Sequence, residues 1–320
     1  MKQCKMKKRI MVLSSVCIGL GLAGCQLGID QQQELMPTRE VVEQPYSKTL
    51  VTIGDSISEG WLPGNHYDEP YGQYASELLE MRFSQAACQS NMIVANKQHQ
   101  NNDFATLVSQ SKDKLKRASV IIIFEGTNDY GRHSSLKKAE VVLNREIKRI
   151  KSWNKTAYIL GITPLNRWDK GNGKSGYDLK NKAGYTLNDL VKMEERVYKE
   201  NHIPYTSFEK MGLSLQQCDF IDDLHPLPAT QKKMGLTLAQ YLVKQMPITK
   251  QTKTLEVAKK APVFTSLVFD HKVTILKPKT TVESDASVRD FNGHTYYRIV
   301  KNKKVIGYVD ERAIKNKNVS

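Results

Sequence analysis

The sequence predicts an α/β fold, in which a parallel sheet lies between two layers of helices, followed by a small all-β domain. Two short runs rich in β-branched residues, 50–53 and 120–124, are typical of buried strands. Segments with the period of an amphipathic helix alternate with further strand-like runs, and such alternation favours a parallel sheet covered on both faces. After Met246 the helical period ends and short alternating segments begin.

The first 24 residues predict an export signal. Lysine and arginine crowd the stretch before Ile10, and the apolar run that follows has the length of a signal-peptide core, too short for a comfortable membrane span. The sequence Leu22-Ala23-Gly24-Cys25 resembles a bacterial lipobox, in which the chain is cut before the cysteine and the cysteine is lipidated. An uncleaved anchor helix is the alternative. Residues 25–48 are polar and glutamine-rich, which predicts a flexible tether.

The composition indicates what surrounds the protein. A net charge of +15 favours an anionic partner. Because export is expected, we predict a Gram-positive wall polymer rather than nucleic acid, and a location on the outer face of the membrane, in contact with the wall, through a lipid on Cys25. Cys88 and Cys218 remain in the mature chain, where they could pair or stay free. No motif has metal-ligand spacing, so neither metal nor cofactor is expected.

Residues 49–246 are expected to form the larger domain. The predicted elements are, in chain order, strand 50–53, loop 60–72, helix 74–83, strand 92–95, strand 119–124, helix 135–153, strand 157–162, helix 186–200, a short strand from 203 and helix 229–244. On helix 135–153, Val141, Val142, Ile147 and Ile150 are expected to face inward.

Three polar motifs follow these elements. Gly54-Asp55-Ser56 ends the first strand, Gly126-Thr127-Asn128-Asp129 follows the strand over 119–124, and Asp222-Asp223-Leu224-His225-Pro226 lies in a loop before the last helix. Chemistry in such folds lies at the carboxyl ends of the strands. In this order the motifs resemble the SGNH (GDSL) hydrolase family, which implies a flavodoxin-like parallel sheet sandwiched by helices and a serine ester hydrolase.

The motifs supply the groups of nucleophilic catalysis. Ser56 is the expected nucleophile, His225 the general base, and Asp222 the carboxylate that orients the imidazole. Asp223 is a competing orienter that spacing alone does not exclude. The backbone N–H of Ser56 and the side-chain amide of Asn128 are the expected oxyanion donors.

The segment that would supply a third oxyanion donor departs from the family pattern in this chain. Members of the family supply it from a pattern like Asn-x-Gly-x-x-Gly, whereas residues 96–101 read Asn-Lys-Gln-His-Gln-Asn and lack both glycines. Asn101 falls at the position of the donor, and asparagine tolerates a left-handed backbone. The departure leaves open a non-catalytic protein that binds wall polysaccharide.

Two further sets of residues border the motifs. Asp55 and Asp129 are expected to support loops, because carboxylates at strand ends accept from loop N–H groups. Trp61, Tyr67 and Tyr71 in the loop after Ser56 offer rings on which a sugar could stack.

The end of the chain predicts a linker over 247–261 and a small β domain over 262–320. Its expected strands are 267–269, 272–276, 296–300 and 305–309, with a hairpin turn at 302–304. The last two strands resemble bacterial Src-homology-3-like wall-binding modules, including the GW type, although Tyr308 stands where the GW signature has tryptophan. Because basic residues from Lys250 onward outnumber acidic ones by about two to one, we expect adhesion to anionic wall polymer. A structural role is the alternative.

The resemblance and the expected location together imply removal of acyl groups, acetyl being the expected one, from envelope or extracellular carbohydrate. A lipase, lysophospholipase, thioesterase or acyltransferase would use the same groups. A chain truncated near Met246 is expected to keep esterase activity and to bind cell walls less well.

Overall fold

A computed structural model of the chain describes residues 48–95, 102–168, 173–269 and 271–315. The predicted signal, Cys25 and almost all of the predicted tether lie outside these ranges, and so does Asn101. Within them, no helix has both the length and the apolar character needed to cross a membrane.

The larger domain is built from seven strands and eight α-helices within the described ranges. In chain order they are β1 (Thr49–Gly54), α1 (Ser56–Glu59), β2 (Trp61–Leu62), β3 (His66–Tyr67), α2 (Tyr71–Leu78), β4 (Arg82–Ala87), α3 (Phe104–Gln110), α4 (Lys112–Arg117), β5 (Val120–Phe124), α5 (Thr127–Gly131), α6 (Leu136–Trp153), β6 (Tyr158–Ile162), α7 (Leu187–Glu200), β7 (Tyr205–Thr206) and α8 (Pro228–Lys244).

Five of these strands form one parallel sheet in the order β4-β1-β5-β6-β7. This is the flavodoxin-like order, and it confirms the predicted fold class. Successive residues of β1 point to opposite faces, so that Leu50 packs in one core while Val51 and Ile53 pack in the other. Since helices cover both faces, β1 and β5 read as nearly continuous apolar runs.

The helices confirm three predictions and correct a fourth. α6, α7 and α8 begin and end within two residues of the predicted bounds. The helix predicted over 74–83 is instead α2, over Tyr71–Leu78, because the chain then enters β4. On α6, Val141 is 60% exposed rather than inward, and the buried stripe runs along Ala139, Leu143, Ile147 and Ile150.

The second strand of the sheet was predicted in the wrong place. β4 lies over Arg82–Ala87 at the edge of the sheet, whereas the predicted strand 92–95 makes only a single bridge, between Met92 and Asp103. β4 is mostly half-buried and carries serine and glutamine, so it lacks the apolar run that marks a central strand.

The smaller domain is a six-stranded antiparallel sheet. Its strands are β8 (Ile248–Glu256), β9 (Ala261–Phe264), β10 (Lys272–Leu276), β11 (Thr281–Arg289), β12 (Thr295–Lys301) and β13 (Lys304–Asp310), in the order β10-β9-β13-β12-β11-β8. The sheet confirms the predicted small β domain.

Two predicted features of this domain are wrong. Much of the predicted linker 247–261 is β8, which pairs with β11 and was missed because an exposed edge strand can be polar and lysine-rich. Residues 267–269, predicted as a strand, lie in a turn and its exit. The predicted hairpin turn is confirmed, with Asn302 and Lys303 both left-handed as a two-residue hairpin loop requires.

The two domains share an apolar interface. Phe291 packs against Tyr158 with ring centroids 5.5 Å apart, and Tyr296 is buried in the core that also holds Leu79. The Asn292 side chain donates from Nδ2 to the backbone oxygen of Leu79 at 3.0 Å. Leu79 precedes β4 and Tyr158 begins β6, so the smaller domain packs on the amino-terminal edge of the parallel sheet.

Candidate active site

Ser56 lies where β1 ends and α1 begins. Asp55 caps this short helix, since its carboxylate accepts from the backbone N–H of Ile57 at 2.9 Å. Gly54 is required by the close approach of the neighbouring strand, because a Cβ there would lie 2.3 Å from the backbone oxygen of Phe124. Ser56 is therefore held at the carboxyl edge of the sheet, and Asp55 supports its turn as the sequence predicts.

His225 and Asp222 approach Ser56 from the loop that precedes α8. The Ser56 Oγ and the His225 Nε2 are 3.0 Å apart. The other ring nitrogen, Nδ1, is 2.9 Å from Oδ2 and 3.1 Å from Oδ1 of Asp222. The three side chains thus form one hydrogen-bonded series, which is the arrangement that activates a serine hydroxyl.

Asp222 is the carboxylate that orients the imidazole in this geometry. It also accepts from the backbone N–H of His225 at 2.8 Å. Partial burial opposes ionisation, but the hydrogen bonds from His225 outweigh it and lower the pKa of Asp222. Asp223 has a left-handed backbone, and its carboxylate accepts from Gln217 instead.

Asn128 lies on α5, directly beyond β5. Gly54 and Phe124 are register partners in the sheet, so the segments carrying Ser56 and Asn128 leave the sheet side by side. The Asn128 Nδ2 donates to the backbone oxygen of Asn91 at 2.9 Å, and an amide nitrogen has a second hydrogen to give. This places an amide donor on the same edge as Ser56.

Buried carboxyl groups lie beneath the Asn128 segment. Asp129 accepts from the backbone N–H groups of Ile93 at 2.6 Å and Val94 at 3.1 Å, and so supports a loop as predicted. Burial raises the pKa of Asp129 to about 7. Glu194 of α7 lies against Gly126, where a Cβ would come within 2.3 Å of its Oε1, and burial raises its pKa well above the ordinary value.

Two residues that the sequence analysis did not identify hold the site together. Arg167 lies after β6 and donates from Nη1 to the backbone oxygen of Thr127 at 3.1 Å. Gln231 of α8 donates to the backbone oxygen of Ile57 and accepts from the N–H of Tyr71, both at 3.0 Å. Neither belongs to a motif, and the only available signal was a polar residue in or near a loop at the carboxyl edge of the sheet.

The predicted aromatic residues occupy three different environments. Trp61 packs on the imidazole of His225, with ring centroids 4.4 Å apart. Tyr67 lies opposite Trp61 on the β2–β3 hairpin and is 55% exposed. Tyr71 is fully buried and its hydroxyl bonds Ser58, so its predicted role in sugar stacking is wrong. Its place on the inner face of α2 directs the ring into the core.

Three further predictions concern Asn101, the two cysteines of the mature chain and a metal site. Asn101 lies outside the described residues. Its neighbour Asn102 is held against the loop that carries Asn91, because its side chain donates to the backbone oxygen of Gln89 at 3.2 Å. Cys88 is a free thiol, so the possible pair with Cys218 is not formed. Across the described ranges, no group of three or more His, Cys, Asp or Glu side chains is arranged to hold a metal ion.

Two family models match the chain. That of the GDSL-like lipase/acylhydrolase family matches residues 52–233, and that of the GW (Gly-Tryp) dipeptide domain matches residues 248–315. Among curated proteins, none matches the sequence significantly.

Solved structures resemble this chain at low identity. A protein from Lactobacillus plantarum is 17% identical with a TM-score of 0.50, over 62% of this chain and 98% of that one. A family two carbohydrate esterase from Clostridium thermocellum, solved in complex with cellohexaose, is 15% identical with a TM-score of 0.49, over 63% of this chain and 65% of that one. At 17% identity, the structure from Lactobacillus plantarum shows a likeness of fold alone.

Proposed function

Because the chain belongs to the GDSL-like lipase/acylhydrolase family, we propose that it is a serine ester hydrolase that removes acyl groups, acetyl above all, from carbohydrate of the cell wall or its surroundings. The observation that carries the proposal is the hydrogen-bonded series from Ser56 through His225 to Asp222. A protein that only binds polysaccharide has no need of this series.

The proposed reaction begins with attack of the Ser56 Oγ on the ester carbonyl. His225 takes the hydroxyl proton on Nε2, and Asp222 stabilises the imidazolium from the other side. The oxyanion accepts from the backbone N–H of Ser56 and from the Asn128 amide. The tetrahedral intermediate then collapses, the C–O bond to the sugar breaks, and His225 gives its proton to the leaving sugar oxygen, so that an acyl group remains on Ser56.

Hydrolysis of this acyl-enzyme completes the cycle. His225 takes a proton from water, the hydroxide adds to the acyl carbonyl, and the second tetrahedral intermediate collapses with return of the proton to Ser56. A sugar hydroxyl in place of water would give acyl transfer by the same steps.

The assignment to carbohydrate is supported by two features. The GW match suggests association with the cell wall, where polysaccharide is abundant. Trp61 covers His225, and an aromatic ring beside the reacting centre suits the apolar face of a sugar ring. A lipid on Cys25 and a flexible tether would hold the enzyme near the wall, on the outer face of the membrane.

Hydrolysis assays test the proposal. The wild type should release acetate from acetylated cell-wall polysaccharide and cleave p-nitrophenyl acetate faster than p-nitrophenyl octanoate, whereas Ser56→Ala should be inactive on all three. Faster cleavage of the octanoate ester would favour a lipase. A wild type as inert as Ser56→Ala on every ester would contradict a hydrolytic role.

A further inference from the structure

A cavity at the carboxyl edge of β6 and β7 takes no part in the steps proposed above. Its volume is about 330 Å³, at the small end of the range for ligand pockets, about 300–1,000 Å³. Residues from the segments that follow β6 and β7 line it, together with Phe220. A pocket of roughly this size admits one sugar ring or a short acyl chain.

The cavity adjoins the catalytic loop, residues 220–226. Phe220 begins this loop and forms part of the cavity wall, where the ring of Trp168 packs on it with centroids 5.0 Å apart. The backbone N–H of Trp168 donates to the oxygen of Asp223 at 3.1 Å. The loop that carries His225 therefore forms one side of the pocket through Phe220.

Polar groups with unused hydrogen-bonding capacity surround the pocket. Asn166 accepts from Ser175 through Oδ1, and no described residue takes up the hydrogens on its Nδ2. The Glu209 carboxylate is exposed and has no hydrogen-bond partner among the described residues. Tyr177 lies nearby, and burial together with the charge of Glu209 raises its pKa to about 12.

We infer that this pocket binds a sugar ring next to the one that carries the acyl group, an inference that rests on the proposed function. A sugar ring presents C–H groups on its face and hydroxyls at its edge. Trp168 and Phe220 supply apolar surface for the face, while Asn166 and Glu209 supply a donor and an acceptor for the edge.

An acyl chain fits the same residues less well. It would exclude water from the half-buried amide of Asn166 without replacing the lost hydrogen bonds, which is unfavourable. On this inference the pocket favours oligomeric carbohydrate over small esters, because a substrate gains from the pocket only if it occupies both the pocket and the site at Ser56.

Kinetics with two sizes of substrate test the inference. An O-acetylated tetramer of N-acetylglucosamine spans both sites, whereas p-nitrophenyl acetate reaches only Ser56. For Trp168→Ala, kcat/KM on the tetramer should fall by about tenfold or more, through KM, and by much more than kcat/KM on p-nitrophenyl acetate. Trp153→Ala removes the same ring at the carboxyl end of α6, where it packs against Arg149, and should change neither rate.

Trp168→Ala could change the rates by disturbing the catalytic loop. Glu209→Ala is therefore a second test, because it leaves the packing of Trp168 on Phe220 intact. A weaker loss confined to the tetramer would support the sugar site. Unchanged kinetics of Glu209→Ala, with equal losses on both substrates for Trp168→Ala, would overturn it. A loss on p-nitrophenyl octanoate with the tetramer unaffected would assign the pocket to the acyl chain instead.

A binding measurement tests the sugar site separately from the proposed esterase activity. If the wild type hydrolyses no ester, calorimetry with the unacetylated tetramer decides. Binding that Trp168→Ala weakens by about tenfold would preserve the sugar site in a protein without the proposed activity. Binding that is absent or independent of Trp168 would overturn the inference.

Discussion

The two edges of the parallel sheet differ in the kind of contact they make. At the carboxyl edge, polar side chains from separate segments surround Ser56, and most of their contacts are hydrogen bonds to side chains or to the backbone. At the amino edge, the smaller β domain packs through apolar groups such as Phe291 and Tyr158, with one buried hydrogen bond from Asn292. The candidate catalytic residues therefore lie at the carboxyl edge, and the smaller domain packs at the amino edge.

Because the contacts differ, a substitution at one edge should leave the other edge intact. A hydrogen-bonded site depends on the position of a few atoms, so one substitution can abolish activity while the fold persists. An apolar interface depends on the area it buries, so one substitution weakens it in proportion to the area lost. Substitutions of the residues that contact the reacting groups should change rate, and those at the amino edge should change stability.

The largest expected effect is a loss of kcat when the hydrogen-bonded series from Ser56 through His225 to Asp222 is broken. Asp222→Asn keeps the shape of the side chain but can no longer hold His225 in the correct tautomer, and kcat should fall on the order of 10⁴-fold. Asp223→Asn is the matched control and should retain nearly full activity. Equal losses for the two variants, measured with p-nitrophenyl acetate, would contradict the assignment of Asp222.

Removal of the oxyanion donor should be the next largest effect. Asn128→Ala takes away one side-chain amide, which costs on the order of 10²–10³ in kcat for a donor of this kind. Thermal unfolding should show a much smaller change, because the lost bond to the oxygen of Asn91 contributes only about 1 kcal/mol. A large loss of stability with unchanged kcat would show that Asn128 supports the fold rather than the oxyanion.

At the amino edge, Phe291→Ala should lower stability by about 1–3 kcal/mol and leave kcat unchanged. Val305→Ala is the control, since Val305 is 53% exposed on the smaller domain. Because the domains share a core, urea unfolding followed by Trp fluorescence and by circular dichroism should give one transition. Two separate transitions in the wild type would contradict a shared core.

This interface also revises what truncation should do. A chain ending near Met246 was expected to keep its activity, but in the structure it would lose the partners of Leu79 and Tyr158 and expose their apolar surface. We expect such a chain to be less stable and prone to aggregate, which makes it a poor test of wall binding.

A further expected effect is a dependence of stability on pH. Burial raises the pKa of Asp129 to about 7, so the folded protein holds this proton more tightly than the unfolded chain, in which aspartate titrates near 3.9. The contribution of this group to stability should be greatest below about pH 4 and should fall toward about pH 7, by at most about 1.4 kcal/mol per pH unit.

Asp129→Asn should reduce that slope in urea unfolding measured across the same pH window. Asp113→Asn, at an exposed position on α4, is the control and should leave the slope as it is in the wild type. Slopes that are identical in the wild type and in both variants would show that Asp129 ionises normally in the folded protein.

The fold class was predictable because β1 and β5 are buried on both faces and therefore read as apolar runs. The edge strand β4 and the outer strand β8 were not, since edge strands are partly exposed and their residues need not be apolar. Tyr71 was misassigned because a tyrosine in an aromatic loop looks the same in sequence whether it faces solvent or the core.

The site was predictable to the extent that its chemistry needs particular residue types close together in the chain. Asp222 and His225 are three residues apart, and Ser56 and Asn128 each follow a strand. Arg167 and Gln231 reach the site from isolated positions, and only the path of the chain in space brings them there. The pocket beside Trp168 could not be predicted from the sequence for the same reason.

Covalent labelling tests the central claim, that His225 activates Ser56 as a nucleophile, most directly. The full chain would be incubated with diisopropyl fluorophosphate, digested and examined by mass spectrometry. We predict one phosphorylated serine, Ser56, in the wild type, and much slower labelling in His225→Ala. Label on another serine, or equal rates in wild type and His225→Ala, would contradict the account.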